Sequence, residues 1–397
     1  MSTNNIFYYL IFLISISFSI SVVPKEIKYF LFGLLMIHVI YSFLKSHLYL
    51  NFNQVLLLIV ICLYPIFITL FNDIFRQFNE PFGYLTLVQS LIIFLASTNR
   101  KINDYILLKI IIYVLLLGAL ISLIINFLVI SGLLNMESLR FLESSQGVTL
   151  DFFSGERPLY QSIVSRFYLN STILFIIPAV YFLESNNLIL FFTCLFSVIL
   201  SASRATTLLS LFSLFFFLIR RIKYKGTWIK ITFLIPLSLL CITAIFPRFF
   251  ELLNIWQIED SGFTGLGLRQ FYIQDYLNNI DFATFIFGGG LNTPIYNSYR
   301  DIFDKTEISQ LNYLYQNGII ISLLAFFTFI KIIQTNLKCQ DTTELKFRKK
   351  IIIALSVFFI ASYSNPVLLH PLFIIMLSII SKNKLSLSHE SKNQSEI

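Results

Sequence analysis

Four arginines and one glutamate are the residues of this chain best suited to chemistry. Arg204 closes the stretch Ser201-Ala202-Ser203-Arg204, set between two apolar runs that leave almost no loop. A guanidinium there is buried or interfacial, a placement that costs at least a few kcal/mol on insertion scales unless an anion pairs with it. Its bland alternative is an arginine that snorkels to lipid headgroups. Arg269 follows Gly265-Leu266-Gly267-Leu268 and opens a stretch, Gln270 to Ile280, whose Phe271, Leu277 and Ile280, with Leu268 just before it, suggest a helix on the membrane surface. A helix N-terminus beside a fixed positive charge is a good anion site, although pairing with Asp275 or another loop acid explains the same residue. Arg157, in Gly155-Glu156-Arg157-Pro158, and Arg166, at the expected mouth of the sixth apolar run, complete the set. Arginine presents a planar fork of donors to phosphate oxygens, and a diphosphate can engage more than one. Both also fit as interfacial anchors.

Glu307 stands before Ile308-Ser309-Gln310-Leu311-Asn312-Tyr313-Leu314, a run that continues to Gly318. A carboxylate near a partly dry, arginine-lined site can act as general base on a sugar hydroxyl or orient that sugar. An acid at a helix N-terminus that stabilises the macrodipole is an equally good account. Upstream, Gly288-Gly289-Gly290-Leu291 lets the backbone turn back tightly.

The elements that must position these groups are membrane helices. The chain has 397 residues, 56% hydrophobic and 13% charged, with mean hydropathy +0.78, which excludes a soluble domain of this length. Roughly 20 apolar residues cross a bilayer core, and inside lipid only helices or a closed barrel satisfy the backbone. The runs are apolar on every face rather than alternating, which favours helices. About twelve are expected, near 6–23, 29–44, 54–71, 84–97, 105–133, 166–183, 187–203, 205–219, 229–246, 311–330, 351–364 and 367–381. The first lacks a basic start and a convincing cleavage site, so it is read as a retained helix.

Two links are strongly basic, one with Arg220, Arg221, Lys223, Lys225 and Lys230, the other with Lys331, Lys338, Lys346, Arg348, Lys349 and Lys350. Both are expected to be cytoplasmic. Threading back from them puts both termini and the link with Arg100 and Lys101 inside, while the link at Glu184 falls inside without a basic residue. The net charge of +8 therefore reports topology rather than nucleic-acid binding. The outer links 135–165 and 247–310 are long enough to carry function. One transmembrane domain over 1–382 and a polar cytoplasmic tail over 383–397 make up the expected organisation. Cys62, Cys194, Cys241 and Cys339 lack redox or ligand spacing, and His38, His47, His370 and His389 form no cluster. Neither a disulfide framework nor a metal or cofactor site is expected.

In this arrangement the chain resembles the superfamily of O-antigen polymerases and O-antigen ligases, membrane glycosyltransferases of Wzy and WaaL type. The resemblance rests on topology and four short stretches: Ser201 to Arg204, Gly267 to Arg269, Gly288 to Leu291, and Glu307 to Gly318. It implies an all-α, GT-C-like protein of the bacterial inner membrane that needs no metal and transfers a glycan from undecaprenyl diphosphate on the periplasmic face. It further implies that Arg204 and Arg269 bind the diphosphate and stabilise its leaving, with Glu307 as the third catalytic candidate. Arg157, Arg166, Gly289 and Asn312 are the substrate-binding candidates. The partners implied are the undecaprenyl-diphosphate-linked oligosaccharide, the lipid bilayer, a chain-length regulator and a flippase. Ligases of this type carry a histidine where, counting back from Gly318, this chain has Glu307, which points to a polymerase. A flippase is the rival from another class. It would need a polar path across the bilayer and repeated halves, whereas ionisable residues here, apart from Lys109, gather at helix mouths.

Overall fold

The computed structural model describes residues 3–19, 25–76, 81–131, 133–134, 152–159, 162–169, 172–200, 273–278, 280–290, 295–297, 302–304, 309–337, 343–361 and 370–382. Helices dominate. In chain order they are α1 (Thr3–Ser19), α2 (Lys25–Leu44), α3 (Phe52–Leu58), α4 (Tyr64–Arg76), α5 (Pro81–Ser97), α6 (Asp104–Ile130), α7 (Ile176–Glu184) and α8 (Leu188–Leu200). Then come α9 (Phe282–Phe287), α10 (Ser309–Leu337), α11 (Thr343–Ala361) and α12 (Pro371–Ile380). Among the described residues, four segments are long and apolar enough to cross a membrane: Glu26–Leu44, Phe52–Asn72, Asp104–Leu128 and Leu311–Asn336. The protein is thus a helical membrane protein. The expected runs 205–219 and 229–246 lie outside the described residues.

α6 shows how the sequence sorts its faces. Leu108, Ile111, Ile112, Leu115 and Ala119 are fully buried at helical spacing, while Tyr113, Leu117, Ile124 and Phe127 face outward. The core joins α1, α2, α5, α6, α7, α8, α11 and α12 through side chains such as Phe7, Leu35, Phe94, Phe175, Phe191, Phe358 and Ile375. Where α1 crosses α6, a side chain at Gly118 would collide with Ser19, whose hydroxyl donates to the Val114 carbonyl at 3.2 Å. Small residues let membrane helices approach this closely.

Among the described residues, one end of the bundle collects the basic side chains of the 45–51, 98–103 and 346–350 segments and Lys382. Leu48 bridges Asn99, Asn51 Nδ2 donates to the Ser381 carbonyl at 2.9 Å, and Lys382 pairs with Asp104 at 2.6 Å. Arg348 Nη2 donates to the Ile380 and Lys382 carbonyls at 2.8 and 2.9 Å, capping the negative end of α12. Lys350 Nζ reaches Ser185 Oγ at 3.1 Å, so α11 brings a positive charge to the Glu184 link, which has none of its own.

Hairpins occur in the two links expected to be outer. β1 (Phe152–Leu159) pairs antiparallel with β2 (Ser162–Leu169), and β3 (Ile295–Asn297) with β4 (Ile302–Asp304). The expected helix over 166–183 is therefore corrected. β2 continues to Leu169, a 3-10 turn spans Thr172–Phe175, and the α-helix starts at Ile176. Ile163, Val164, Phe167 and Tyr168 are β-branched or aromatic residues that favour a strand once a partner is present.

Candidate functional site

The end opposite the basic links holds a broken helix. α10 is interrupted at Gly318, which adopts φ 74° and ψ 170°. About two turns from its start, within the segment Leu311–Asn336 that is long and apolar enough to cross a membrane, it is two helices end to end. Gly288, Gly289 and Gly290 enter this break. The Gly289 N–H donates to the Tyr315 carbonyl at 2.8 Å and the Gly290 N–H to the Gln316 carbonyl at 2.9 Å. Carbonyls stranded by the interruption thus regain donors, the condition for irregular backbone in a membrane.

Only glycine fits at the closest approaches. Gly288 (φ 87°) lies against the backbone of Gln316 and Asn317, and Gly318 against that of Ile286 and Gly288. Gly290 (φ 83°) lies against Thr69 of α4. Positive φ at all three adds a second reason for glycine.

The membrane span formed by α3 and α4 holds the turn from its other side. Tyr64 Oη donates to the Phe287 carbonyl at 2.6 Å and Asn72 Nδ2 to the Gly288 carbonyl at 3.3 Å. A π-helical turn, Ile59–Leu63, joins α3 to α4. Tyr313 of α10 donates its hydroxyl to the Val60 carbonyl of that turn at 2.8 Å. Helix irregularities of this kind often mark functional sites.

Several polar side chains line the same region. Asn312 is buried on the first turn of α10. Asn317 is completely buried; its Nδ2 donates to the Tyr313 carbonyl at 3.1 Å, while its Oδ1 has no partner among the described residues. A buried acceptor of this kind is usually satisfied by ordered water. Tyr276, in the short helical stretch 273–278, packs edge-on against Tyr315 with ring centres 5.7 Å apart. Burial, with the Tyr315 phenol adding to it, pushes its pKa up to about 12, so it remains a neutral phenol.

Of the candidates from sequence, Gly289 and Asn312 belong to this site: Gly289 bonds Tyr315, one turn beyond Asn312. Arg157 and Arg166 lie on β1 and β2, paired with Val164 and Gly155. That register puts both positions on one face of the ribbon, diagonal to one another. Arg166 is thus on a strand rather than at a helix mouth. Arg204, Arg269 and Glu307 lie outside the described residues. The stretch expected as a surface helix, Gln270 to Ile280, is helical over 273–278. Leu277 is exposed there, and Ile280 packs on the Tyr276 and Tyr315 pair. Sequence reasoning missed Tyr64, Asn72, Tyr313 and Asn317. Their signal was a hydroxyl or amide inside an apolar run, a pattern shared with many purely structural residues.

No protein-family model and no curated protein matches the chain.

Proposed function

We propose that this protein polymerises undecaprenyl-diphosphate-linked O-antigen repeat units on the periplasmic face of the bacterial inner membrane. The observation that carries the reading is the meeting of the Gly288 to Gly290 turn with the helix break at Gly318. Two of the four stretches that resemble the polymerase and ligase superfamily thus converge, although the β3–β4 hairpin separates them in sequence. The shared face of Arg157 and Arg166 is a second support. The gathering of Lys45, Arg100, Lys101, Arg348 and Lys382 at the far end is a third support, because positive links stay cytoplasmic and a periplasmic glycine turn is what the reading requires.

In this mechanism Arg204 and Arg269 hold the diphosphate of the growing chain. A sugar hydroxyl at the non-reducing end of a new lipid-linked repeat attacks the anomeric carbon and inverts it. The bond from that carbon to the diphosphate oxygen breaks, and undecaprenyl diphosphate leaves with both bonding electrons, stabilised by the guanidinium groups. Glu307 takes the hydroxyl proton. Asn312 and the backbone around Gly289 orient the sugars.

The test is a lipopolysaccharide gel from a strain lacking the protein, complemented with wild type or with Arg204→Ala. Deletion is expected to leave core plus a single repeat, and only wild type restores the ladder. Bare core would instead indicate a ligase. An unchanged ladder would overturn the role in lipopolysaccharide, and a normal ladder from Arg204→Ala would overturn the diphosphate contact.

A further inference from the structure

The basic end of the bundle carries a second built feature. α2 ends in a tight turn in which Ser46 adopts φ 53°, and the Ser46 and His47 N–H groups donate to the Phe43 and Ser42 carbonyls at 2.9 Å each. The chain is then tied to the link between α5 and α6. Leu48 bridges Asn99, and the Arg100 N–H donates to the His47 carbonyl at 3.0 Å. Asn99, almost fully buried, donates to Ser42 Oγ at 3.0 Å and accepts the Lys101 N–H at 2.9 Å. Two separate links thus become one platform that carries Lys45, His47, Arg100 and Lys101.

The charge of the platform rests on Lys45 and Arg100. Asp104, the acid of the second link, is already held by Lys382. Lys45 and Arg100 are exposed, and neither side chain has an ion pair or hydrogen bond among the described residues. The Arg100 guanidinium lies over Tyr49, 3.8 Å from the ring centre, a stack that fixes its plane. The field is felt by His47, whose pKa is held below its ordinary value by partial burial, then by Lys101 and Lys45. Beside these charges stands an apolar collar: Phe43 and Leu44 on the last turn of α2 and Phe52 on the first turn of α3 are 70%, 74% and 67% exposed.

A ligand that matches both parts is anionic at one end and apolar at the other. We propose that the two linked loops bind an anionic phospholipid, with its phosphate at Lys45, Arg100 and Lys101 and its acyl chains against Phe43, Leu44 and Phe52. A basic pocket between membrane helices is a recognised form of headgroup site. The tie through Asn99 fixes the backbone of both loops, which lowers the ordering cost on binding.

The full-length protein is reconstituted in nanodiscs of phosphatidylcholine, alone or with one quarter phosphatidylglycerol, and its thermal unfolding and lipid retention in native mass spectrometry are measured. Phosphatidylglycerol is expected to delay unfolding by several degrees and to be retained in preference to phosphatidylcholine. Both effects are lost in Lys45→Gln/Arg100→Gln and reduced in Arg100→Lys, which keeps the charge but not the planar stack. If the double variant does not fold, Arg100→Lys decides. Wild-type retention by the folded variants would overturn the site, as would an equal loss on Lys346→Gln/Lys349→Gln. Stabilisation by inorganic phosphate in phosphatidylcholine discs alone would assign the site to a free anion instead and overturn the lipid.

Discussion

At Gly318 the backbone holds φ at 74° with the Ile286 carbonyl directly against the α-carbon. Gly318→Ala combines a left-handed conformation, which costs a non-glycine residue about 1–3 kcal/mol, with a backbone collision that no rotamer relieves. The expected outcome is a lower unfolding temperature in detergent, read by size-exclusion chromatography after heating and, under the proposed function, a shortened or absent lipopolysaccharide ladder. Asp104 and Lys382 form a pair that is largely buried. Removing one partner strands the other, so Asp104→Asn is expected to cost on the order of 3 kcal/mol, while replacing both with apolar residues of similar size restores much of it. The pH response follows from the lysine. Burial lowers its pKa, and Asp104 opposes that lowering. Without Asp104 the depression deepens and the unfolded chain binds more protons than the folded one. Asp104→Asn therefore gains stability as pH rises between the folded and unfolded values of Lys382, and thermal unfolding over a pH series checks the sign.

At the scale of elements, the π-helical turn Ile59–Leu63 depends on a partner from another helix. Tyr313→Phe leaves the Val60 carbonyl without its donor and is expected to destabilise the protein by about 1–2 kcal/mol, measured by unfolding; under the proposed function it also shortens the gel ladder. α12 begins with His370 as N-cap, its Nδ1 accepting the Leu372 N–H at 3.3 Å, and Pro371 at the first helical position. Much of this level is legible in sequence: apolar runs near 29–44, 54–71, 84–97, 105–133 and 311–330 mark α2 to α6 and α10 with ends off by a few residues. The run near 367–381 overshoots α12 because proline and its cap fix the true start. The hairpin at β2 escapes because an apolar stretch has the same composition as strand or helix until its partner is known. The break in α10 escapes for a related reason. Gly318 reads as a permissive residue, while the donors that stabilise the interruption come from Gly289 and Gly290, in a different link. The glycine turn was visible, but what it turns against was not.

For the whole molecule, the segregation of charge makes a topological prediction. Lys45, Arg100, Lys101, Lys346 to Lys350 and Lys382 gather at the end where α2, α5, α7, α10 and α12 finish. If that end is cytoplasmic, green fluorescent protein fused after residue 397 fluoresces, and alkaline phosphatase inserted in the 135–151 link is active; the reverse pattern would invert the protein and remove the periplasmic site. Because the N–H groups of Gly289 and Gly290 complete α10, the long link before it and α10 are one unit of inheritance. A chimera that exchanges the link must carry Gly288 to Gly290 together with Gly318, or the buried Tyr315 and Gln316 carbonyls of the recipient helix are left without these donors. Recombination between related chains should therefore cut outside the segment from Asp281 to Gly318 rather than within it.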